Sequence, residues 1–164
     1  MTHAHTALQD IAAPDGTCFG CGSAHPSGLQ IKSYWDESGE FVIARKQPES
    51  HFIGWPGLVY GGYLAMLLDC HSNWTAMAYH YRAENREPGS LPRIECVTGA
   101  LNIRYLKPTP MGVELYLKAW VEGDVGRKTQ VKCELWAGDQ LTVTADSTFV
   151  RVSVEALAKM QSGQ

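Results

Sequence analysis

The sequence predicts an α+β domain in which an antiparallel β-sheet is covered by one long helix. Three observations lead to this fold class. A helical pattern of apolar residues runs from Tyr60 to about Tyr81 without a proline, apolar and polar residues alternate over much of residues 97–146, and short glycine-containing segments separate the alternating stretches. A sheet with one apolar face has to bury that face, so the single long helix is its expected cover.

Length and composition describe an ordinary globular chain. It has 164 residues, of which 45% are hydrophobic and 19% are charged, and its formal net charge is −3. This balance argues against a nucleic-acid partner, which would favour a basic field. The longest apolar run, near Leu64 to Leu68, is far shorter than the roughly 20 residues that cross a bilayer, and Met1–Thr6 lacks the features of a signal peptide. Five scattered cysteines fit a reducing compartment, so we expect a soluble, cytoplasmic protein without a membrane partner.

The first part of the chain contains loops and two predicted strands. Residues 1–16 are small and polar, and we expect them to form a flexible arm that precedes a single domain over residues 17–164. Strand-forming residues then predict two strands, at Leu29–Tyr34 and Glu40–Lys46, with a turn at Asp36–Gly39 between them. Glycine and proline predict a loop on either side of this pair, at Cys18–Gly28 and Gln47–Val59.

The part after the long helix is predicted to be mostly strand. A polar, turn-rich segment over Ala83–Arg93 is followed by four stretches that alternate with period two, which is typical of antiparallel sheets with one buried face. The connections Gly123–Gly126 and Gly138–Gln140 are short enough for hairpins. A short terminal helix is expected over residues 153–161. The four strands are predicted near residues 97–105, 113–122, 131–136 and 141–146.

Two glycines, Gly61 and Gly62, stand at the start of the predicted long helix. Glycine costs about 1 kcal/mol in a helix interior relative to alanine. At a helix start it lets a ligand approach free backbone amides, which lie at the positive end of the helix dipole and suit a developing oxyanion. The alternative is that the glycines only allow the helix to pack closely against a strand.

Asp69 lies within the apolar run that begins at Leu64. A carboxylate among apolar neighbours has to be paired, protonated or functional, because burying it alone costs several kcal/mol. The alternative is a position on the solvated side of the helix, which the following polar residues His71 to Asn73 also fit. Asp69 is therefore a candidate catalytic carboxylate.

The spacing of these two features predicts a site shared between chains. Gly61 and Asp69 are eight positions apart, about 12 Å along a helix that rises roughly 1.5 Å per residue. One helix therefore cannot easily bring its own Gly61 amide and its own carboxylate to the same carbonyl group. Two antiparallel helices in a two-fold dimer could do so. If both groups act on one substrate, the site lies at a subunit interface.

The segment Gly54-Trp55-Pro56-Gly57-Leu58-Val59-Tyr60-Gly61-Gly62, followed by Leu68-Asp69, resembles the signature of hotdog-fold acyl-CoA thioesterases of the phenylacetate-degradation (PaaI-like) type. The resemblance continues through Leu101–Pro108 and at Gly126-Arg127-Lys128, and it covers about residues 18–152. It implies a hotdog fold, a sheet wrapped around one central helix, and hydrolysis of an acyl-CoA thioester to free acid and CoA.

The resemblance also implies roles for individual residues. The Gly61 amide polarises the thioester carbonyl, the partner chain's Asp69 acts as nucleophile or as general base on water, and Thr98 helps to position that water. The family has a histidine where this chain has Tyr60. A tyrosine hydroxyl can replace a hydrogen bond but cannot be a cation at neutral pH. This departure leaves open a second function, an acyl-CoA-binding protein that does not hydrolyse its ligand.

Substrate binding is assigned to a second group of residues. The family places basic residues at the position of Arg127 and Lys128 against the nucleotide end of CoA, with Arg104 and Lys107 as further candidates; surface charge is the alternative for each. Gly62 is expected to bind the substrate, and the central helix and the loop that contains Phe52, Trp55 and Pro56 are expected to line an apolar acyl pocket. The resemblance implies no cofactor other than the CoA of the substrate, and a homodimer or a dimer of dimers. A hydratase on the same fold would pair the aspartate with a catalytic histidine, and Asp69-Cys70-His71 does not reproduce that arrangement.

Cys18 and Cys21 have the spacing of half a zinc knuckle or of a redox dithiol. A structural zinc ion needs four ligands, and the sequence contains no second Cys-x-x-Cys pair. The two cysteines lie in a glycine- and proline-containing loop, whereas a thioredoxin-like pair opens a helix after a strand. We therefore expect a structural loop and no metal, while zinc or redox chemistry stays open to metal analysis.

Overall fold

A computed structural model describes residues 6–163. Six strands form one sheet in the order β1-β2-β4-β5-β6-β3, and every neighbouring pair is antiparallel. Strand β3 is therefore one edge of the sheet and β1 is the other. The elements in chain order are α1 (Leu8–Ala12), β1 (Ser33–Trp35), β2 (Val42–Lys46), α2 (Gly61–Ala83), β3 (Glu95–Tyr105), β4 (Leu115–Glu122), β5 (Lys128–Ala137), β6 (Gln140–Val152) and α3 (Val154–Gln161).

Helix α2 lies across one face of the sheet and contacts all six strands. The apolar side chains of the central strands meet those of the helix, and burial of this shared surface from water is the main favourable contribution to folding. The predicted α+β arrangement, a sheet with one long covering helix, is confirmed. No helix in residues 6–163 is both long and apolar enough to cross a membrane. Fully buried members of the core include Tyr63, Leu67, Leu68, Leu117, Leu135 and Phe149.

The hairpins of the second half follow the predicted alternation. Strands β4, β5 and β6 pair in sequence order, and residues 138–139 connect β5 directly to β6. Gly138 has φ +63°, a value that the first central position of such a tight hairpin turn requires and that glycine adopts without strain. The turn is thus explained by its sequence.

The predicted first strand is shorter than expected. Only Ser33–Trp35 joins the sheet, whereas the amides of Leu29 and Ile31 donate hydrogen bonds to the carbonyls of Phe19 and Gly20. Gln30 between them has a positive φ of 55°, which interrupts the extended conformation. The segment before β1 therefore pairs with the cysteine-containing loop and not with the sheet.

The expected flexible arm is wrong for the part that the structure describes. Residues 8–12 form the short helix α1, and Leu8, Gln9 and Ala12 are buried. The Gln9 side chain accepts a 2.9 Å hydrogen bond from the Ser33 amide and donates a 3.0 Å bond to its hydroxyl oxygen. Five residues are too few to show a helical period, so the sequence pattern did not reveal this contact. Residues 1–5 of the predicted arm lie outside the described residues.

Candidate active site

Helix α2 begins at Gly61, and Tyr60 is its N-cap residue. The Tyr60 backbone is extended and its side chain does not cap the helix. Within residues 6–163, no group accepts a hydrogen bond from the amides of Gly61 and Gly62. These two donors lie at the positive end of the helix dipole, so they are available to a carbonyl oxygen that gains negative charge.

The Tyr60 ring lies directly against Gly62. A Cβ atom built on Gly62 would be 2.5 Å from Tyr60 Cε1 and 2.8 Å from its hydroxyl oxygen. Glycine at this position therefore lets the ring fold back over the helix start. Tyr60 remains half exposed, so its ring is at the surface, beside the free amides.

Tyr105 is a site residue that the sequence analysis did not single out. Its hydroxyl donates a 2.8 Å hydrogen bond to the Gly61 carbonyl, and its ring would be 3.5 Å from a Cβ atom on Gly61. Burial, followed by the influence of Tyr60, raises the pKa of the Tyr105 hydroxyl. Tyr105 is the last residue of an alternating strand and lies in the segment Leu101–Pro108, which resembles the family. This position is the feature of the sequence that could have marked Tyr105 as a site residue.

The structure brings Asp69 and Thr98 together. The Thr98 hydroxyl donates a 2.7 Å hydrogen bond to Asp69 Oδ1. Asp69 is half-buried on α2, whereas Thr98 is exposed on the edge strand β3. The strand pairing shifts between Thr98 and Ala100, so Gly99 forms a bulge next to this contact. The bulge sets the direction in which Thr98 points relative to its strand.

Helix α2 runs antiparallel to β3 along the edge of the sheet. Gly61 lies beside Tyr105, Asp69 beside Thr98, and the Asn73 side chain donates a 3.0 Å bond to the Cys96 carbonyl. Within one helix, Gly61 and Asp69 are about 12 Å apart along the axis. A single chain therefore does not place both groups on one small carbonyl group.

A cavity of about 480 Å³ opens beside Asp69. Its walls come from the loop of residues 13–22, from α2 around Asp69 and Asn73, and from the start of β3. Cys18, Cys21 and Cys70 on its walls form the one cluster of possible metal-ligating side chains found among the described residues.

Trp55 lies in the loop that leads to the helix. The loop is closed by backbone bonds from Leu58 to Trp55 and from Tyr60 to Phe52, of 2.8 Å each. Trp55 is 76% exposed, and Ile53 and Tyr60 beside it are also exposed. The loop thus presents an apolar surface close to the helix start.

Lys128 is the first residue of β5 and Arg127 precedes it, and both are exposed. Neither forms an ion pair with another described residue. Thr129, the next residue, is in register with Phe149 and then with Thr98 across the sheet, and its hydroxyl contacts His80 of α2. Because successive side chains alternate between faces, Lys128 points away from the face that carries Asp69. Arg127 lines a second cavity, of about 690 Å³.

Comparison with known proteins gives the family. The model of the thioesterase superfamily matches residues 56–144, which include the helix start, Asp69, strands β3 to β5 and the beginning of β6. Among curated proteins, the acyl-coenzyme A thioesterase THEM4 of Rattus norvegicus is 22% identical over 128 residues, which cover 78% of this chain. The chain spans about half the length of this relative and of its Mus musculus counterpart, since the match covers 50% of each.

Solved structures agree with this result. A thioesterase superfamily protein from Shewanella loihica PV-4 is 38% identical with a TM-score of 0.60, over 78% of this chain and 96% of its own. A Bacillus halodurans protein solved with CoA is 25% identical with a TM-score of 0.57, over 76% and 75% of the two chains. A phenylacetic acid degradation-related protein from Ralstonia eutropha JMP134 is 23% identical with a TM-score of 0.58, over 74% and 85%. The chain therefore belongs to the thioesterase superfamily and has its hotdog fold.

Proposed function

We propose that the chain hydrolyses an acyl-CoA thioester to the free acid and CoA, at a site formed by two subunits. One subunit supplies the Gly61 amide and the other supplies the Asp69 carboxylate. The observation that carries this proposal is the antiparallel course of α2 along the edge strand, with Gly61 at Tyr105 and Asp69 at Thr98.

The edge strand β3 supports a dimer. It is 11 residues long and has one neighbour, β6, within the described chain. Residues 97–100 are exposed, and Tyr105 and Leu106 at the other end are about half exposed. A long unpaired edge with apolar residues readily pairs with another strand, and natural proteins usually protect such edges. A second copy of β3 would provide this protection.

A two-fold axis through the middle of β3 would join the two half-sites. If two β3 strands pair antiparallel about a point midway between Thr98 and Tyr105, each Thr98 lies opposite Tyr105 of the other chain. The partner subunit's Asp69 is then carried towards Gly61, because each residue is hydrogen-bonded to its own strand. In this arrangement the Gly61 amide of one chain faces the Asp69 carboxylate of the other, although the two groups are far apart within one chain.

The chemistry needs only these groups and water. The Gly61 amide donates to the thioester oxygen, on which negative charge develops when the carbonyl carbon is attacked. Asp69 either attacks that carbon and forms an anhydride that water hydrolyses, or takes a proton from an attacking water. In both routes the carbon–sulfur bond breaks, and the CoA thiolate leaves and is protonated. No cofactor beyond the CoA of the substrate is required.

The comparisons support the choice of substrate. A related structure was solved with CoA, and the curated relatives are named acyl-coenzyme A thioesterases. We assign Arg127, which lines the second cavity, to the phosphates of CoA, and Trp55 to the acyl group; Lys128, which points to the opposite face of the sheet, is not included. We also propose a reducing, cytoplasmic location, which five free cysteines support.

The shared site is tested by complementation between two inactive chains. Asp69→Asn removes the carboxylate charge. Gly61→Pro removes the amide hydrogen, and it suits the first position of a helix after the extended Tyr60 (φ −60°, ψ 129°). Each variant alone should release little thiol from an acyl-CoA panel. Co-expressed chains should recover about a quarter of wild-type turnover, because about half of the dimers are mixed and each mixed dimer has one intact site.

Gly61→Ala is the matched control for the proline variant. It keeps the amide hydrogen, and its methyl group would be in ordinary contact with the Tyr105 ring at 3.5 Å. We expect it to retain far more turnover than Gly61→Pro. Recovery no greater than the sum of the two separate variants, or a monomer by light scattering in the active preparation, would rule out the two-subunit site.

Tyr60 favours a second candidate, an acyl-CoA-binding protein without hydrolysis. This residue stands where the family has a histidine, and its ring lies over the helix start. Calorimetric binding of acyl-CoA with no release of thiol over hours would favour this function, and Tyr60→His would then be expected to restore turnover.

A further inference from the structure

Three cysteine thiols from distant parts of the chain meet beside Asp69. Cys18 and Cys21 come from the loop before β1, and Cys70 comes from helix α2. Their Sγ atoms all lie within 4.8 Å of one another, and Cys18 Sγ is 3.8 Å from Cys70 Sγ. Cys70 is a third thiol that the sequence analysis did not associate with the pair, because nothing in the Cys18-x-x-Cys21 spacing indicates a partner in the long helix.

The separation of the sulfur atoms suits a shared ion. In a tetrahedral zinc–thiolate site with bonds of about 2.3 Å, two sulfur atoms are about 3.8 Å apart. A disulfide needs about 2.05 Å and pairs two cysteines only. The Cys18–Cys70 distance equals the sulfur–sulfur distance of a zinc site, so these two cysteines need not move to bind the ion. The third thiol would be a further ligand.

The loop is built closely around the thiols. A Cβ atom on Gly20 would be 2.3 Å from Cys70 Sγ, so glycine lets this sulfur lie against the loop backbone. The Gly22 amide donates a 2.8 Å bond to the Cys18 carbonyl, and a Cβ atom on Gly22 would be 2.5 Å from the Cys18 nitrogen. The Cys-Phe-Gly-Cys-Gly segment thus has a shape that fits these three sulfur atoms.

A hydrogen-bond donor points at one of the sulfur atoms. Trp74 Nε1 donates to Cys21 Sγ at 3.3 Å. This donor would stabilise the negative charge of a Cys21 thiolate that binds a metal ion.

We propose that Cys18, Cys21 and Cys70 bind one thiophilic metal ion of the zinc class, with its fourth coordination position open towards the cavity beside Asp69. Three protein ligands with an open position are typical of zinc sites that also bind water or a ligand. The ion would tie the loop to helix α2 and hold the cavity wall in place. This proposal does not depend on thioester hydrolysis.

Metal titration of the reduced protein tests the site. The full chain is prepared without metal under reducing, oxygen-free conditions and titrated with Co²⁺ and then Zn²⁺. We expect one Co²⁺ per chain, with thiolate charge-transfer absorption and the intense visible bands of tetrahedral cobalt, and displacement of Co²⁺ by Zn²⁺. Zn²⁺ should also raise the thermal unfolding midpoint of the wild-type protein.

Single substitutions locate the ligands. Cys18→Ser, Cys21→Ser and Cys70→Ser should each weaken Zn²⁺ binding by at least about tenfold and lose the rise in unfolding midpoint. Cys96→Ser is the matched control, because Cys96 lines the same cavity but is not in the cluster. Circular dichroism establishes that each variant is folded.

A second measurement needs no variant. Zn²⁺ should protect Cys18, Cys21 and Cys70 of the wild-type protein from alkylation, mapped by mass spectrometry, and leave the labelling of Cys96 unchanged. An octahedral Co²⁺ spectrum, Zn²⁺ binding unchanged in Cys70→Ser, or uniform protection of all cysteines would overturn the proposal. So would reduced protein that binds no metal and on oxidation forms only a Cys18–Cys70 disulfide.

Discussion

The Thr98 hydroxyl donates a 2.7 Å hydrogen bond to Asp69 Oδ1 and thereby joins the central helix to the edge strand. The bond orients the carboxylate in a half-buried position and occupies one side of one oxygen. Within the described residues, no hydrogen bond is made by Asp69 Oδ2. That oxygen is available to a water molecule or to the substrate carbonyl.

Removing this hydroxyl should slow turnover without unfolding the protein. Thr98 is exposed, so Thr98→Val loses few core contacts but leaves Asp69 free to rotate. We expect kcat to fall about tenfold with KM little changed, because positioning of the reacting group is lost and not substrate binding. Thr98→Ser keeps the hydroxyl and should stay close to wild type. An unchanged kcat in Thr98→Val would mean that Asp69 needs no orientation by the strand.

Tyr105 is expected to position the helix start. Tyr105→Phe removes the 2.8 Å bond to the Gly61 carbonyl and keeps the ring. Because a hydrogen bond typically contributes about 1 kcal/mol, we expect a severalfold fall in kcat/KM and a loss of about 1 kcal/mol or less in unfolding free energy. Tyr34→Phe is the control, since the Tyr34 hydroxyl has no hydrogen-bond partner among residues 6–163. Equal effects of the two substitutions would contradict this role.

The fold was predictable because its signals are long and regular. Helix α2 has 23 residues, and strands β3 to β6 have between 8 and 13 residues each, so their periods of 3.6 and 2 are repeated several times. Gly61 and Asp69 were selected as candidates for a different reason. Their residue types conflict with their surroundings, a glycine pair at a helix start and a carboxylate in an apolar run.

Contacts between distant segments were not predictable in this way. The helix α1 is too short to show a period, and its hydrogen bonds between Gln9 and Ser33 join residues 24 positions apart in the sequence. Cys70 reads as an ordinary helical residue until the loop places Cys18 against it. The contact of Tyr105 with Gly61 likewise depends on the antiparallel packing of helix α2 against strand β3. Pairs of this kind require the tertiary structure.

Close packing at Gly20 predicts a stability effect that does not depend on any metal. Gly20→Ala would place a methyl group 2.3 Å from Cys70 Sγ, and we expect unfolding free energy to fall by about 1–3 kcal/mol as for other overpacked sites. Cys70→Ala removes that sulfur, so Gly20→Ala should cost much less in the Cys70→Ala background. Gly126→Ala is the control, because its nearest atom would be 4.0 Å away. Urea unfolding of the four variants measures the coupling, and additive effects would contradict the contact.

Glu84 connects the end of helix α2 to strand β6. The carboxylate pairs with Arg151 and, at 2.8 Å, with Arg86. The Arg151 guanidinium, and then that of Arg86, lower the pKa of Glu84 to about 2, from an ordinary value of 4.5. The folded protein therefore holds this proton less tightly than the unfolded chain does, and unfolding takes up a proton between these two pH values.

The resulting stabilisation is present above about pH 4.5 and is lost as the pH falls towards 2. The side chains of Glu84, Arg86 and Arg151 are each about one-third exposed or less, so solvent screening reduces this stabilisation to about 1 kcal/mol. Glu84→Gln should lower the unfolding free energy by this amount near neutral pH, and the difference from wild type should be mostly gone by about pH 2. Urea unfolding at both pH values measures it. Glu114→Gln, which breaks the more exposed pair with Arg45, is the control and should change little at either pH. A Glu84→Gln deficit that persists undiminished at low pH would show that the charge of Glu84 is not its cause.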